Sequence, residues 1–504
     1  MTRVRRSVPP QPPGPSESPD SSPPPARTPL LALLSCLLTV LLSACAGSGG
    51  DYDVVLEGGR VIDPASGLDG VWNVGIRGDS ISAVTGAPLE GQRVIDATGL
   101  VVAPGFVDIL ASYPNTDEAA RFKIFDGVTT LISMHGGPVE VEAWYRTRRD
   151  RGAYLNFGTA VGHTSLREAV GATKRYEPAT PEQIEEMERL AETALEDGAV
   201  GIGFGVMYVP GASREEVFRL VGVAAERGFP VHAHTRYFGS VSADNSGVAG
   251  AQEVIASAAA AGARGQIVHI NSMIAPMRQM RTALEMIEGA RKQGVDVMAD
   301  AYPYTASSTG LSTTAFDPGW QERYGGISYG DVELVSTGER LTEESFERYR
   351  AMDTVSVVIH YMPRESVDAA LAHPHVMVAS DGVIENGRGH PRGAGTFARV
   401  LGRYVRERGV LTLPEAIEKM TLMPARRLED AVPAMARKGR LTVGADADIV
   451  VFDAGTIIDR ADFADPDRRS RGVRWLLVAG QTVIAEGELR RDVRPGRGIR
   501  SDGG

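Results

Sequence analysis

Cysteine is almost absent from this chain: two residues among 504, Cys36 and Cys45, both near the N-terminus. So low a count excludes a disulfide-stapled scaffold. A surplus of basic charge is missing too. The chain has 53 Lys+Arg against 64 Asp+Glu, a net charge of −11, which argues against nucleic acid as a partner. The apolar run over residues 30–42 falls short of the ~20 residues that a membrane-spanning helix needs. What is present is a globular composition, 43% hydrophobic and 23% charged, with 58 glycines. That length and composition allow a large core, either several domains or one α/β barrel with an appendage.

Arg3, Arg5, Arg6 and Arg27 precede the apolar run, which suits the core of an export signal. The run leads into Leu42-Ser43-Ala44-Cys45 and then Ala46-Gly47-Ser48-Gly49-Gly50. This resembles a bacterial lipoprotein signal, in which small residues admit the peptidase and the cysteine thiol carries the lipid. The expectation is a signal over 1–44 with a long Pro-rich n-region, then a lipidated Cys45 and a flexible tether over 45–52. The chain is thus expected to be exported and held at the cell membrane or outer membrane, facing the periplasm or the cell surface.

Beyond the tether, residues 53–102 read as short β segments broken by turns such as Gly58-Gly59, Asp63-Pro64 and Gly78-Asp79. The same texture returns over 437–490, so one small β-sandwich is expected from both ends, followed by a flexible tail over 491–504. The middle, 103–436, alternates strands with helices. Thr180 is a candidate N-cap before Pro181, and Ile184, Met187, Leu190, Ala194 and Leu195 form one apolar face. Candidate strands lie at 101–110, 128–134, 154–161, 199–206, 230–234, 266–269, 295–299 and 376–380. Eight is the count of a (β/α)8 TIM-like barrel. An insertion spans about 309–349, and a further strand at 354–360 accompanies it.

In such a barrel, chemistry sits at the C-terminal ends of the strands. The polar residues there are His135, His163, His234, His269, Asp300 and Asp381. Histidines and an aspartate converging from separate strands point to a metal or acid–base site rather than to isolated core histidines. His232 and Asp300 read as supporting groups, Asp108 as structural, and His163 with Arg167 as ordering the loop after the third strand.

The motifs carry a resemblance. Val102-Ala103-Pro104-Gly105-Phe106-Val107-Asp108, Gly127-Val128-Thr129-Thr130, Gly162-His163-Thr164-Ser165-Leu166-Arg167, Tyr208-Val209-Pro210-Gly211 and His234-Thr235-Arg236 follow in order. Asp300-Ala301-Tyr302-Pro303-Tyr304, Ser380-Asp381-Gly382 and His390-Pro391-Arg392 complete the set. In this order and spacing the chain resembles the amidohydrolase superfamily, specifically the N-acyl-D-amino-acid deacylases (D-aminoacylases). The resemblance implies a zinc-dependent barrel with a small β-sandwich that hydrolyses a small-molecule N-acyl amino acid or similar amide. It implies His234 and His269 as metal ligands and Asp381 as the catalytic aspartate. It places Tyr208, Arg236, Tyr302, Tyr304, His390 and Arg392 around substrate, with a tyrosine and Arg392 holding its carboxylate.

Three departures stand against that pattern. Leu110 and Ser112 occupy the positions of the family's His-x-His ligand pair on the first strand. No cysteine remains for the second-strand ligand, where Ser133-Met134-His135 stands instead. His135 is one place out of register and faces the site only if a loop or bulge turns it. Asn271 replaces a lysine of the family. Two readings follow: a hydrolase with one zinc on His135, His234 and His269, acting on an N-acyl-D-amino acid or another small amide, or a catalytically impaired ligand-binding lipoprotein.

Overall fold

The computed structural model describes residues 51–111, 116–239, 245–352, 354–382 and 384–501. The expected signal, Cys45 and Ser112 lie outside the described residues. No helix among the described residues is long and apolar enough to cross a membrane.

Nine strands from the two ends form one hydrogen-bonded sheet. The long strand Tyr52–Asp63 pairs antiparallel with Leu68–Arg77 and parallel with Gly91–Asp96 and Val101–Pro104. Val101–Pro104 then pairs with Ile449–Phe452, which pairs with Val473–Val478, so the distant ends meet on adjacent strands. Alternation buries one face of these strands, and Val54, Leu56, Val74, Ile76, Ile449, Val451 and Leu477 share a core separate from that of the barrel.

Eight parallel strands make the barrel. Phe106–Asp108, Val128–Ser133 and Asn156–Thr159 form one ladder; Val161–Gly162, Ile202–Gly205, Pro230–His234, Arg264–Ile267, Val297–Ala301 and Val376–Val378 form the other. Asn156–Thr159 and Val161–Gly162 are two halves of the third strand, which shifts from the second to the fourth at Ala160. The apolar run over 101–110, expected as one strand, divides at Gly105 because its first half belongs to the end-built sheet. A Cβ on Gly105 would lie 2.2 Å from the Thr129 side chain, so only glycine fits that crossing.

The surrounding helices follow their sequence signals. Pro181–Glu196 starts with a capping box between Thr180 and Gln183 and buries Ile184, Met187, Ala191, Ala194 and Leu195 against the barrel. The insertion contributes an antiparallel sheet of Ala306–Gly310, Ser356–His360 and Val332–Leu334.

Among the described residues no ladder joins the eighth strand to the first. Asp108 bridges that seam with its side chain. Its Oδ1 accepts from the Ser380 N–H at 3.0 Å, and its Oδ2 accepts from Ser380 Oγ at 2.5 Å and Lys123 Nζ at 3.0 Å. All three residues are buried. Asp108 is therefore a structural clamp.

The segment after residue 490 corrects the expectation of a flexible tail. Gly496 N–H donates to Ala153 O (2.8 Å), Phe157 N–H to Arg497 O (2.9 Å) and Ile499 N–H to Phe157 O (2.7 Å). The strand Asn156–Thr159 has a ladder partner on one side alone, and its free backbone groups take the segment as an edge cover.

Candidate metal centre and active site

His135 lies beyond the second strand, which ends at Ser133. The Met134 N–H donates to Ile132 O (3.1 Å) and Ile109 O (3.3 Å), so the backbone turns tightly after the strand. Strand alternation stops at that turn, which lets a residue one place out of register face the barrel mouth. Glycines make room for it. A Cβ on Gly203 would lie 2.6 Å from Met134 O and 2.7 Å from both Gly136 N and the His135 carbonyl carbon. A Cβ on Gly137 would lie 2.0 Å from Ala160 O.

His234 ends the fifth strand, and His269 follows the sixth as N-cap of the short helix Ile270–Met273, with a left-handed φ of 32°. Such a conformation is uncommon outside glycine and needs support from neighbours. Asp300 supplies it: Oδ1 accepts the His269 N–H at 2.6 Å, and Oδ2 accepts Gln266 Nε2 at 2.9 Å. Ser272 Oγ lies 2.6 Å from His269 Nδ1 and donates to the His269 carbonyl oxygen at 3.0 Å. That arrangement assigns the Nδ1 proton as donor to Ser272, leaving the Nε2 lone pair toward the cluster.

One ring nitrogen from each of His135, His234 and His269 lies within 4.8 Å of the others. His135 Nε2 is buried without a partner. Burial pushes the His269 imidazole down to about 4 and holds His234 well below its ordinary value. Both rings are therefore neutral, the form that donates a lone pair to a metal. Asp381 stands beside them with a φ of 50°. Its Oδ1 is 3.4 Å from His135 Nδ1; its Oδ2 is 3.7 Å from His269 Nε2 and 2.9 Å from Arg392 Nη2. Burial alone would raise its pKa, but Arg392, with His269 and His135, outweighs that and holds the carboxyl well below the usual carboxylate range.

The structure divides the expected substrate residues into two groups. Tyr208, Tyr302 and Arg392 line the pocket with the three histidines and Asp381. The Tyr302 hydroxyl is buried without a hydrogen-bond partner, and the Arg392 guanidinium lies 4.5 Å from the centre of its ring. Tyr208 places its ring 4.9 Å from that of His234. Three other expectations need correction. Arg236 spends its guanidinium on Glu253, with contacts of 2.7–3.1 Å, and on the Ala212 carbonyl oxygen. Tyr304 points away and donates to Pro391 O at 3.3 Å. His390 sits behind Arg392: its Nδ1 accepts the Arg392 N–H at 3.0 Å and its Nε2 donates to Ala306 O at 3.0 Å. These contacts hold the start of the helix Arg392–Arg399, and His390 is not among the residues that line the pocket.

Leu110 is buried in the barrel core and offers no donor atom. Asn271 donates to the Tyr302 carbonyl oxygen at 3.1 Å, fixing the Tyr302 loop where the family has a cation. Sequence reasoning missed Ser272, Phe238, Tyr324 and Tyr361, all of which line the pocket. Ser272 carried a signal, since three residues after His269 is one helical turn away. The aromatic residues come from loops and the insertion, where no periodicity marks them.

Comparison with known proteins follows the same lines. The Amidohydrolase family profile matches residues 145–484. An N-acyl-D-glutamate deacylase of Alcaligenes xylosoxydans xylosoxydans is 33% identical over 492 residues, spanning 89% of this chain and 97% of that protein. The structure of an N-acyl-D-glutamate deacylase from Bordetella bronchiseptica is that of a complex with zinc and a phosphonate mimic of the tetrahedral intermediate. It matches with a TM-score of 0.78 and 29% identity, covering 89% of this chain and 99% of that one. A D-aminoacylase structure, described in terms of one-metal activation and second-metal attenuation of a binuclear centre, matches with a TM-score of 0.75 and 27% identity. It covers 89% of this chain and 100% of that one. Matched by the family over more than half its length and by a relative over nearly all of it, the chain belongs to the amidohydrolase family.

Proposed function

We propose that this chain is a single-zinc hydrolase of a non-peptide C–N bond that deacylates an N-acyl-D-amino acid outside the cytoplasm. The observation that carries the reading is the convergence of His135, His234 and His269 within 4.8 Å, beside Asp381 and Arg392. These residues fit zinc by their chemistry: two buried neutral imidazoles and a third with an unpartnered nitrogen, in a set of three that leaves a position open. With Leu110 unable to contribute at the family's paired-histidine position, one ion is the number this donor set supports. Zinc held there supplies Lewis acidity that polarises an amide carbonyl and acidifies adjacent water.

The chain's own residues do the rest. Asp381 is ionised at neutral pH, so it takes the proton of the attacking water and returns it to the departing amine nitrogen. Arg392 binds the substrate carboxylate through its planar fork, with the Tyr302 hydroxyl beside it. Because Arg392 also touches Asp381, one guanidinium sets the scissile amide next to the base. Ser272 and Asp300 keep His269 in its ligating orientation. Attachment through Cys45 rests on the Leu-Ser-Ala-Cys sequence and the Gly/Ser tether after it.

Metal content of the purified chain, before and after adding zinc, is measured together with hydrolysis of N-acetyl-D-amino acids. The reading expects one bound zinc per chain and zinc-dependent turnover. Absence of both metal and turnover would overturn it in favour of a ligand-binding protein. Palmitate labelling that persists in a Cys45→Ser variant would remove the anchor.

A further inference from the structure

Arginine is spread unevenly through this acidic chain. The helix Val141–Arg151 carries four arginines against Glu142 and Asp150, and residues 490–500 carry five against Asp492. The fold brings the two stretches together around a cleft of about 870 Å³. Its lining holds Arg149, Arg437, Lys438, Arg494, Arg497 and Arg500. Among the described residues that line it, the acids are Glu142 and Asp446 alone. Part of the positive charge is spent. Lys438 is buried on Asp446 and Asp448, and Arg437, Arg494, Arg497 and Arg500 each meet a carboxylate. A guanidinium has five N–H donors, so one carboxylate does not saturate it. The side chains of Arg437 and Arg497 are each 55% exposed. Arg149 is exposed as well, and its guanidinium makes no hydrogen bond or ion pair among the described residues.

The start of the described chain lies beside this cleft. Asp51 O accepts from Arg77 Nε at 2.5 Å, and Asp53 Oδ2 accepts the Gly78 N–H at 2.6 Å. The next residue, Asp79, is the carboxylate that Arg497 meets at 2.6 Å. In the sequence Cys45 stands six residues before Asp51, a span of about 20 Å at full extension. Gly152 and Phe157 in the lining mark the N-terminal end of the third barrel strand. The histidine cluster gathers at the opposite, C-terminal ends. Resting on attachment through Cys45, we propose that this arginine-rich face docks on the phosphates of anionic lipid headgroups beside the anchor. The barrel mouth is then left clear for substrate. Planar guanidiniums suit phosphate oxygens, and an anionic leaflet attracts basic residues held within a Debye length of its surface.

The test measures co-sedimentation of the full chain carrying Cys45→Ser with two kinds of vesicle, phosphatidylcholine alone and phosphatidylcholine with about 30% phosphatidylglycerol. The substitution removes acylation, and the apolar run over 30–42 acts on both vesicles, so the ratio of binding reports the arginine face. The ratio is expected to exceed about 10 and to collapse toward unity in about 0.5 M salt. Arg149→Glu with Arg437→Glu is expected to lower it at least about 5-fold. Arg149→Gln with Arg437→Gln lowers it in the same direction and serves should the charge reversal fail to fold. Arg278→Glu with Arg281→Glu makes the same charge change on the helix Met277–Lys292. That helix follows the sixth strand, across the barrel from the helix after the second, and the pair is expected to hold the ratio within about twofold. Equal binding of the parent to both vesicles overturns the proposal, and so does an equal loss in the control pair. Uptake of duplex DNA through Arg149 and Arg437 without vesicle preference overturns it in favour of nucleic acid. Neither acylation nor turnover enters the assay, so a failure of the Cys45 anchor shows separately in the palmitate labelling.

Discussion

Replacing Gly203 with alanine adds one methyl group to the fourth strand, on the side where the His135 loop passes. That carbon would stand 2.6 Å from Met134 O and 2.7 Å from Gly136 N and the His135 carbonyl carbon. Ordinary contacts of this kind sit near 3.5 Å, so the loop must retreat by roughly 1 Å. Metal–ligand distances tolerate only about 0.2 Å. His135 therefore leaves the ligand set, while His234 and His269 stay on their own supports. Zinc affinity is expected to fall at least about 10-fold, approaching that of a His135→Ala variant, with a stability cost of about 1–3 kcal/mol from overpacking. Competition with a chromophoric chelator gives the affinity, and urea denaturation of the metal-free protein separates it from unfolding. A folded Gly203→Ala variant that binds zinc within twofold of the parent would refute both the glycine cradle and the role of His135.

Ser272→Ala removes the acceptor that fixes the His269 tautomer and should weaken zinc binding about 10–100-fold, again by chelator competition. Lys123→Met leaves the buried Asp108 carboxylate without its cation and should destabilise the metal-free protein by about 3–5 kcal/mol in urea melts; a change under 1 kcal/mol would contradict the clamp. In the metal-free protein, His269 is neutral down to about pH 4, whereas the unfolded chain protonates it below its ordinary value of 6.5. The unfolded state thus binds the extra proton as pH falls through that window, and the stability tied to His269 shrinks by about 1.4 kcal/mol per pH unit. The stability gap between the parent and a His269→Gln variant should narrow by about 3 kcal/mol between pH 6.5 and 4. The comparison isolates His269 from Asp126 and Asp300, whose carboxyls burial raises to about 7 and which act in the opposite sense.

The barrel is legible in the sequence because most of its apolar runs follow a helix that ends near a glycine, as at Gly198, Gly228, Gly262 and Gly294. His234, His269 and Asp381 are legible because that architecture gives strand ends a common destination. The boundary at Gly105 is not, since an apolar run reads the same whether one sheet or two receive it. Arg236 looks free in sequence, but Glu253 sits two turns into the next helix, and nothing local ties the pair together. Tyr302 and Tyr304 flank a proline outside any strand, so alternation cannot choose between them. The facing of His135 depends on the missing side chain of Gly203, in a different strand, and a rule applied within one strand cannot see it.

The pairing of distant ends has a consequence for how the molecule is made. Phe157 in the third barrel strand is covered by Arg497 and Ile499, and Val101–Pro104 takes its partner from Ile449–Phe452. Neither closure can form until the intervening stretch of about 340 residues has been synthesised, because loop closure of that length precedes the contacts that reward it. The nascent barrel waits with an uncovered third strand and a half-built sheet, both of which are pairing edges open to other chains.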